Sequence, residues 1–449
     1  MLDVEVVPEL GIRHKLWEFV LGMPIQQMID ILRKQDHTIK NVDFWYSDKE
    51  PFSMNLVLVL PGDGVKFHFD PFLQRLRIIE IFDLSSITLR YWSQYFNSPS
   101  ILPTLQEVLR IFGSTKPLGL RICIRYLAFA KIIKLCISPA ESDGDYQLTY
   151  RGITFILRRF ATAISGGSRE SIDTKSDLLA TRLFIYLGSN LTEAKVPVEL
   201  PSACYLQNVF LERLEVNRLS NATTNLIFHL VAQDLNLNPT REPEIRRFTR
   251  FLTFGDSVQD VLSALGSPSR VFYKTEDKMK IHLPQSHRLV QPRKSDYFFN
   301  YFSLGLDILF DAQTHEVMKF VLHTNQPGEY TFNTYYRCLF EIPIPIVKSS
   351  KENTHVNVET DGTASVTDNS PNETKYLVTP FSKWSDVRQH LISSVDTEPV
   401  VIYRESKPQQ NPFGPTHAYG YQDIIFEIIP SSECIASVTL YTPIHFSKT

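Results

Sequence analysis

A short polar-capped helix that runs through glycine into aromatic β-strands occupies residues 255–311, and versions of it recur along the chain. That recurrence restricts the fold more than any other feature. GDSVQDVLSALGSPSRVFYK reads as a capped helix that stops at Gly266 and Pro268 and feeds a strand. Gly266 suits the position just past a helix, where left-handed dihedrals are needed. DYFFNYFSLGLDILFD then reads as strand, turn and strand. Period-2 alternation puts Tyr297, Phe299 and Tyr301 on one face and Phe298, Asn300 and Phe302 on the other. Aromatics on both faces point to burial on both sides, the core role preferred here, or to one face held by a partner.

The helix motif returns as LPTLQEVLRIFGS. Gln106, Glu107, Val108, Leu109 and Gly113-Ser114 align with Gln259, Asp260, Val261, Leu262 and Gly266-Ser267. Thr104-x-x-Glu107 is a capping-box pattern, in which the hydroxyl accepts from a first-turn N–H and the carboxylate reaches back. GMPIQQMIDILRKQ fits the same frame, with Pro24 near the first turn where its missing N–H costs nothing. FSKWSDVRQHL is a fourth, looser version. The strand half repeats as well. VKFHFD follows Gly64 as LDILFD follows Gly305, with the glycine six residues before the aspartate in both. Gly152 and Gly420 open looser echoes. These patterns predict an α+β fold of antiparallel β-sheets with short packed helices, built from degenerate helix-plus-β-hairpin repeats. The expected divisions are a first helix and β-meander unit over 1–100 and a second over 101–195, with an atypical insertion at 117–145. A β-rich segment and third unit follow over 196–345, then a disordered linker over 346–375 and a C-terminal unit over 376–449. The linker is rich in Ser, Thr, Asn and acids and cannot bury enough surface to offset chain entropy.

At 449 residues the chain can hold about two to four cores. A net charge of −3 offers no basic face for nucleic acid. The five cysteines stand far apart with no C-x-x-C pair, which predicts reduced thiols and a cytoplasmic setting. The opening MLDVEVVPELG lacks the basic and apolar regions of a signal peptide. One apolar run, LGLRICIRYLAFAKIIKLCI, contains Arg121, Arg125, Lys131 and Lys134. Each such cation costs roughly 2.5–3.5 kcal/mol at a bilayer centre, which argues against a span.

No H-E-x-x-H, G-x-S-x-G, Walker loop or G-x-G-x-x-G occurs, so no catalytic, cofactor or metal residues are assigned. His282, His287 and His315 lack metal-ligand spacing with a third partner. The one provocative cluster is Lys274, Lys278, Lys280, Arg288, Arg293 and Lys294, in a loop interrupted by Glu276 and Asp277. It reads either as a solvated loop or as a docking patch for an acidic partner or anionic lipid headgroups. NPFGPTHAYGY has the Pro/Gly punctuation and aromatic content of a recognition loop.

GDSVQDVLSALGSPSRVFYKTEDKMKIH and DYFFNYFSLGLDILFDAQTHEVMKFVLHTNQPGEY resemble the eukaryotic phagosome assembly factor 1 family. So do MLDVEVVPE with WEFVLGMP, IKNVDFWYS, and NPFG with IASVTLY. The chain departs from the family pattern over 116–145. The resemblance implies a non-enzymatic regulator of autophagy without cofactors. It also implies pairing with a WD-repeat β-propeller scaffold that binds phosphoinositides at the phagophore assembly site, so that the phagophore membrane is reached indirectly. Golgi-linked vesicle trafficking, or direct binding to anionic membrane, is the alternative expectation.

Overall fold

Among the described residues, each of four short helices starts where an extended residue stops the preceding chain, and each is followed by a four-stranded antiparallel meander. The computed structural model describes residues 1–113, 137–139, 145–159, 178–201, 204, 209–219, 222–233, 245–274, 295–345, 375–391, 398–403 and 413–442. These residues form two compact units, Met1–Leu206 and Gln207–Thr449. The expected insertion lies outside the described residues except at 137–139 and Asp145, and the expected linker except at Lys375.

The first unit opens with the meander β1 (Leu2–Val7), β2 (Gly11–Arg13) and β3 (Glu18–Val20). Helix α1 (Ile25–Lys34) buries Ile25, Met28 and Leu32 at helical spacing. Then come β4 (Asp43–Trp45), β5 (Leu56–Leu60), β6 (Val65–Phe69) and β7 (Leu76–Ile81), followed by the hairpin β8 (Ile87–Tyr91) and β9 (Gln94–Asn97). Helix α2 (Leu105–Phe112) leads to β10 (Ile137–Pro139), β11 (Asp145–Tyr150), β12 (Ile153–Arg159) and β13 (Leu178–Tyr186). A five-stranded sheet has the order β3-β2-β1-β8-β9, and an eight-stranded sheet the order β10-β11-β12-β13-β7-β6-β5-β4. All pairings are antiparallel except β1 with β8.

The second unit opens with β14 (Val209–Leu219), β15 (Ala222–Gln233) and β16 (Ile245–Thr253). Helix α3 (Val258–Leu265) precedes β17 (Arg270–Tyr273), β18 (Tyr297–Tyr301), β19 (Leu306–Phe310) and β20 (Val317–His323). The pair β21 (Phe340–Pro345) and β22 (Lys375–Val378) comes next. Helix α4 (Trp384–His390) then precedes β23 (Val400–Ile402), β24 (Thr416–Tyr421), β25 (Ile424–Ile429) and β26 (Cys434–Tyr441). Here the sheets run β16-β15-β14-β21-β22 and β17-β18-β19-β20-β26-β25-β24-β23, again with one parallel pair, β14 with β21. Strand for strand this is the order of the first unit. One core joins both sheets and both helices: Leu214, Phe228 and Phe340 meet Phe299, Ile308, Phe320 and Phe426, with Val261 of α3 and Trp384 of α4.

Two local details recur in all four helix-plus-meander segments. The N-cap residue forms a single β-bridge to the start of the fourth strand: Pro24 to Arg75, Thr104 to Leu179, Ser257 to Glu316 and Lys383 to Cys434. The third and fourth strands also slip register once, at His68/Phe69, Ile156/Leu157, Leu309/Phe310 and Glu427/Ile428. A bulge at that place bends the strand pair and sharpens its twist beneath the helix.

Two expectations about the helix ends need correction. Thr104 Oγ1 accepts from Glu107 N at 3.3 Å, but the Glu107 carboxylate does not reach back. Arg110, one turn on, takes it through two bonds of 2.6 and 3.0 Å, and these hold the carboxyl below its usual range. The reciprocal box forms instead in α3, between Ser257 and Asp260. Thr104→Ala therefore removes a single-sided cap and should cost about 1 kcal/mol, measured by denaturant titration. Gly266 does take a positive φ of 78°, yet its ψ of −165° leaves the helix along an extended path and not a left-handed turn. The Tyr301 hydroxyl donates to its carbonyl at 2.9 Å and steers that exit.

Candidate functional site

Among the described residues, edge strand β17 is paired on one side only, with β18. Its register with β18 sets Val271 opposite Phe299 and Tyr273 opposite Tyr297 on the helix-side face of the sheet. The turn from β19 to β20 closes the far end. Asp311 Oδ1 accepts from Gln313 N at 2.7 Å and Thr314 N at 2.8 Å, and His315 takes a φ of +58°. That turn brings His315 Nδ1 to 2.8 Å from the Tyr297 hydroxyl. Val271, Tyr273, Tyr297, Phe299, Ala312 and His315 line a groove of about 760 Å³.

The groove walls are mainly aromatic. Tyr297 stacks on Phe310 at 5.4 Å and lies 5.5 Å from Tyr273. Burial, and next the Tyr273 phenol, push the Tyr297 hydroxyl pKa up, so it stays a neutral hydrogen-bonding group. Such a site suits an apolar or aromatic side chain of a ligand, with the phenol–imidazole pair as its polar fixture.

Of the six basic residues singled out in the sequence, the structure describes Lys274; Lys278, Lys280, Arg288, Arg293 and Lys294 lie outside the described residues. Lys274 Nζ stands 3.9 Å from Asp296 Oδ2 and 5.6 Å from the centre of the Phe298 ring. Phe298 belongs to the sheet face opposite the groove, so Lys274 is not a groove residue. Lys319 shares that face, and burial, followed by repulsion from Lys274, lowers its pKa. Of the aromatic run, Tyr297, Phe299 and Tyr301 are all buried in the unit's core, while Phe298 and Phe302 on the other face are half-buried.

Behind the groove sheet sits a buried polar cluster. Asp307 Oδ1 accepts from Asn300 Nδ2 at 2.7 Å and from the Tyr335 hydroxyl at 2.9 Å, while His323 Nε2 lies 2.9 Å from Asp307 Oδ2. The Tyr335 ring stacks on His323 at 3.8 Å. Burial first, then the Asp307 charge, drive the Tyr335 phenol far above its usual range. These residue types can do acid–base chemistry, but here they are buried and committed to one another. The corresponding positions of the first unit hold Lys66 and Phe82, with the ammonium 4.9 Å over the ring. The cluster thus fastens the 324–339 segment to the sheet. Sequence reasoning did not find it, because Asp307 and Tyr335 are far apart in the chain and follow no spacing rule.

Among the described residues no group of three or more His, Cys, Asp and Glu could hold a metal ion, and no helix is long and apolar enough to cross a membrane. Cys204, Cys338 and Cys434 are buried and form no disulfide. Burial pushes the Cys204 thiol up to about 12 and Cys338 higher still, which keeps both unreactive.

The fold is one of antiparallel β-sheets with short packed helices, and the groove lies at one sheet edge of the second unit. The family profile of Phagosome assembly factor 1 matches residues 15–441. A Drosophila melanogaster PHAF1 protein is 39% identical over 449 residues, covering 98% of this chain and 94% of the fly protein. A Caenorhabditis elegans PHAF1 protein is 31% identical, covering 97% and 93%, and an Arabidopsis thaliana one 30%, covering 94% and 90%. The chain belongs to the phagosome assembly factor 1 family. No solved structure matches it.

Proposed function

We propose that this chain is a non-enzymatic adaptor in autophagosome formation. It holds a WD-repeat β-propeller scaffold that binds phosphoinositides, and through that partner it reaches the phagophore membrane. Membership of a family named for phagosome assembly supports the process, and the aromatic groove beside the open edge of β17 is the observation that supports docking. A peptide segment of the partner would extend the sheet at β17 and seat an apolar side chain between Tyr273 and Tyr297.

Val271 and Tyr273 are 42% and 63% exposed, so changing them leaves the core intact. The double variant Val271→Ser/Tyr273→Ser should bind the purified propeller scaffold at least about tenfold more weakly. A variant lacking residues 275–294, bridged by a short Gly-Ser link, measures the basic cluster in the same titration. Undiminished binding by the serine variant would remove the groove from consideration, and undiminished binding by the deletion variant would remove the basic loop.

A further inference from the structure

The turn between β6 and β7 and the turn between β19 and β20 share one construction but differ at the tip. In the first unit Asp70 Oδ1 accepts from Phe72 N at 3.0 Å and Leu73 N at 2.8 Å, as Asp311 does from Gln313 and Thr314 in the second. Asp70 N donates to Arg75 O at 2.9 Å, and Asp311 N to Glu316 O at 3.0 Å. Gln74 and His315 take the same left-handed φ, 54° and 58°. The turn before β26 follows suit with Glu433 at 57°, and its tip is Ser431 and Ser432. Gln-Thr and Ser-Ser build this turn as well as Phe-Leu does, so the fold itself does not call for apolar residues there.

Yet Phe72 and Leu73 stand 46% and 53% exposed. Phe72 stacks on Phe52 at 5.3 Å, with the rings 18° from parallel, and Met54, two residues on, is 65% exposed. We infer that this apolar tip is a second contact point for the scaffold partner, seated in an apolar pocket bordered by cationic side chains. The inference rests on the adaptor reading above and adds a contact on the first unit.

Charge separates a protein pocket from a membrane surface. In the two segments that meet at the Phe52–Phe72 stack, Asp48, Glu50 and Asp70 supply three carboxylates against Lys49 and Arg75, and the Arg75 guanidinium is tied to the carbonyls of Gly22, Val198 and Glu199. That balance is repelled by an anionic leaflet and attracted by a cationic rim. The tip is also pre-organised. Both of its N–H groups are tied to Asp70, so docking it orders little chain and loses little affinity to entropy.

The test grafts the second unit's tip onto the first. Phe72→Gln/Leu73→Thr places residues that the same Asp-capped turn already carries, and its melting temperature should stay within about 2 °C of the parent. Titrated against the propeller scaffold, it should bind at least about tenfold more weakly. Glu50→Lys, which touches no apolar packing, should weaken binding by a smaller factor that vanishes at high salt. If the parent chain binds and both variants bind equally well, the tip is not a contact and the inference falls while the adaptor reading stands. If the parent does not bind the scaffold, the adaptor reading falls and takes the inference with it. Tip-dependent sedimentation of the parent with phosphatidylcholine–phosphatidylserine vesicles would overturn the protein pocket in favour of a lipid surface.

Discussion

Arg218→Ala should destabilise the second unit by about 3–5 kcal/mol, because it strands a buried carboxylate. The Arg218 and Asp423 side chains are 5% and 3% exposed, and Arg218 Nη2 donates to Asp423 Oδ1 at 2.5 Å and to Gln422 Oε1 at 2.7 Å. Thr223 N donates to the other Asp423 oxygen at 2.6 Å, so the pair locks the β14–β15 turn to the β24–β25 turn. Burial lowers the guanidinium pKa against the opposing pull of Asp423. With arginine gone, one backbone donor is left to balance the buried charge. Arg218→Met/Asp423→Asn should recover most of the loss, since it removes both charges. The first unit provides an internal comparison. There the same pair of turns is joined by Arg151 and Glu9 at 2.9 Å, with Arg151 78% exposed. Arg151→Ala should be nearly silent when both variants are read by guanidinium chloride titration. A small effect at Arg218, or an equally large one at Arg151, would refute the distinction.

Gly305→Ala should cost roughly 3–5 kcal/mol, combining left-handed strain with a backbone collision. Gly305 sits at φ 67° and ψ 35°, and a Cβ there would fall well inside contact distance of Tyr336 O and 2.7 Å from Cys338 N. Neither neighbour can yield easily. Tyr336 N donates to Phe302 O and Cys338 N to His323 O, each at 2.8 Å. The collision would therefore be felt across the strap that Tyr335 pins to Asp307. Gly266→Ala is the matched comparison, with positive φ but open space around it, and should cost only about 1–2 kcal/mol. Equal losses at the two glycines, read from melting temperature, would show that crowding at Gly305 is not the cause.

Local pattern made much of this architecture legible. The period-2 alternation of VKFHFD became β6, with Val65, Phe67 and Phe69 buried. The glycines at 64 and 305 predicted tight turns because only positive φ fits there. The helices also fell on the frames expected: α1, α2 and α4 bury residues three or four apart, and α3 buries Val261. Long-range pairing was not legible. Nothing in MLDVEVV says that β1 lies parallel to β8, because register is set by partners remote in sequence. The groove escaped detection for a related reason: His315 reaches Tyr297 only once a capped turn has formed. Charge density drew notice to the basic loop, yet its described member, Lys274, turned out to be occupied by Asp296 and Phe298.

The parallel pairs have a consequence for how the protein is made. On a growing chain, β14 emerges with β15 and β16 long before β21, which must complete its other side, has been synthesised. Each unit thus carries an open strand edge through much of its own translation, sealed only when a distant strand arrives. Closure over so long a loop is slow, and an exposed edge in the interval invites pairing with other chains. Truncations that end before β21 should therefore aggregate as they leave the ribosome, and the tolerated place to cut lies between the units, where each has already gathered both of its sheets.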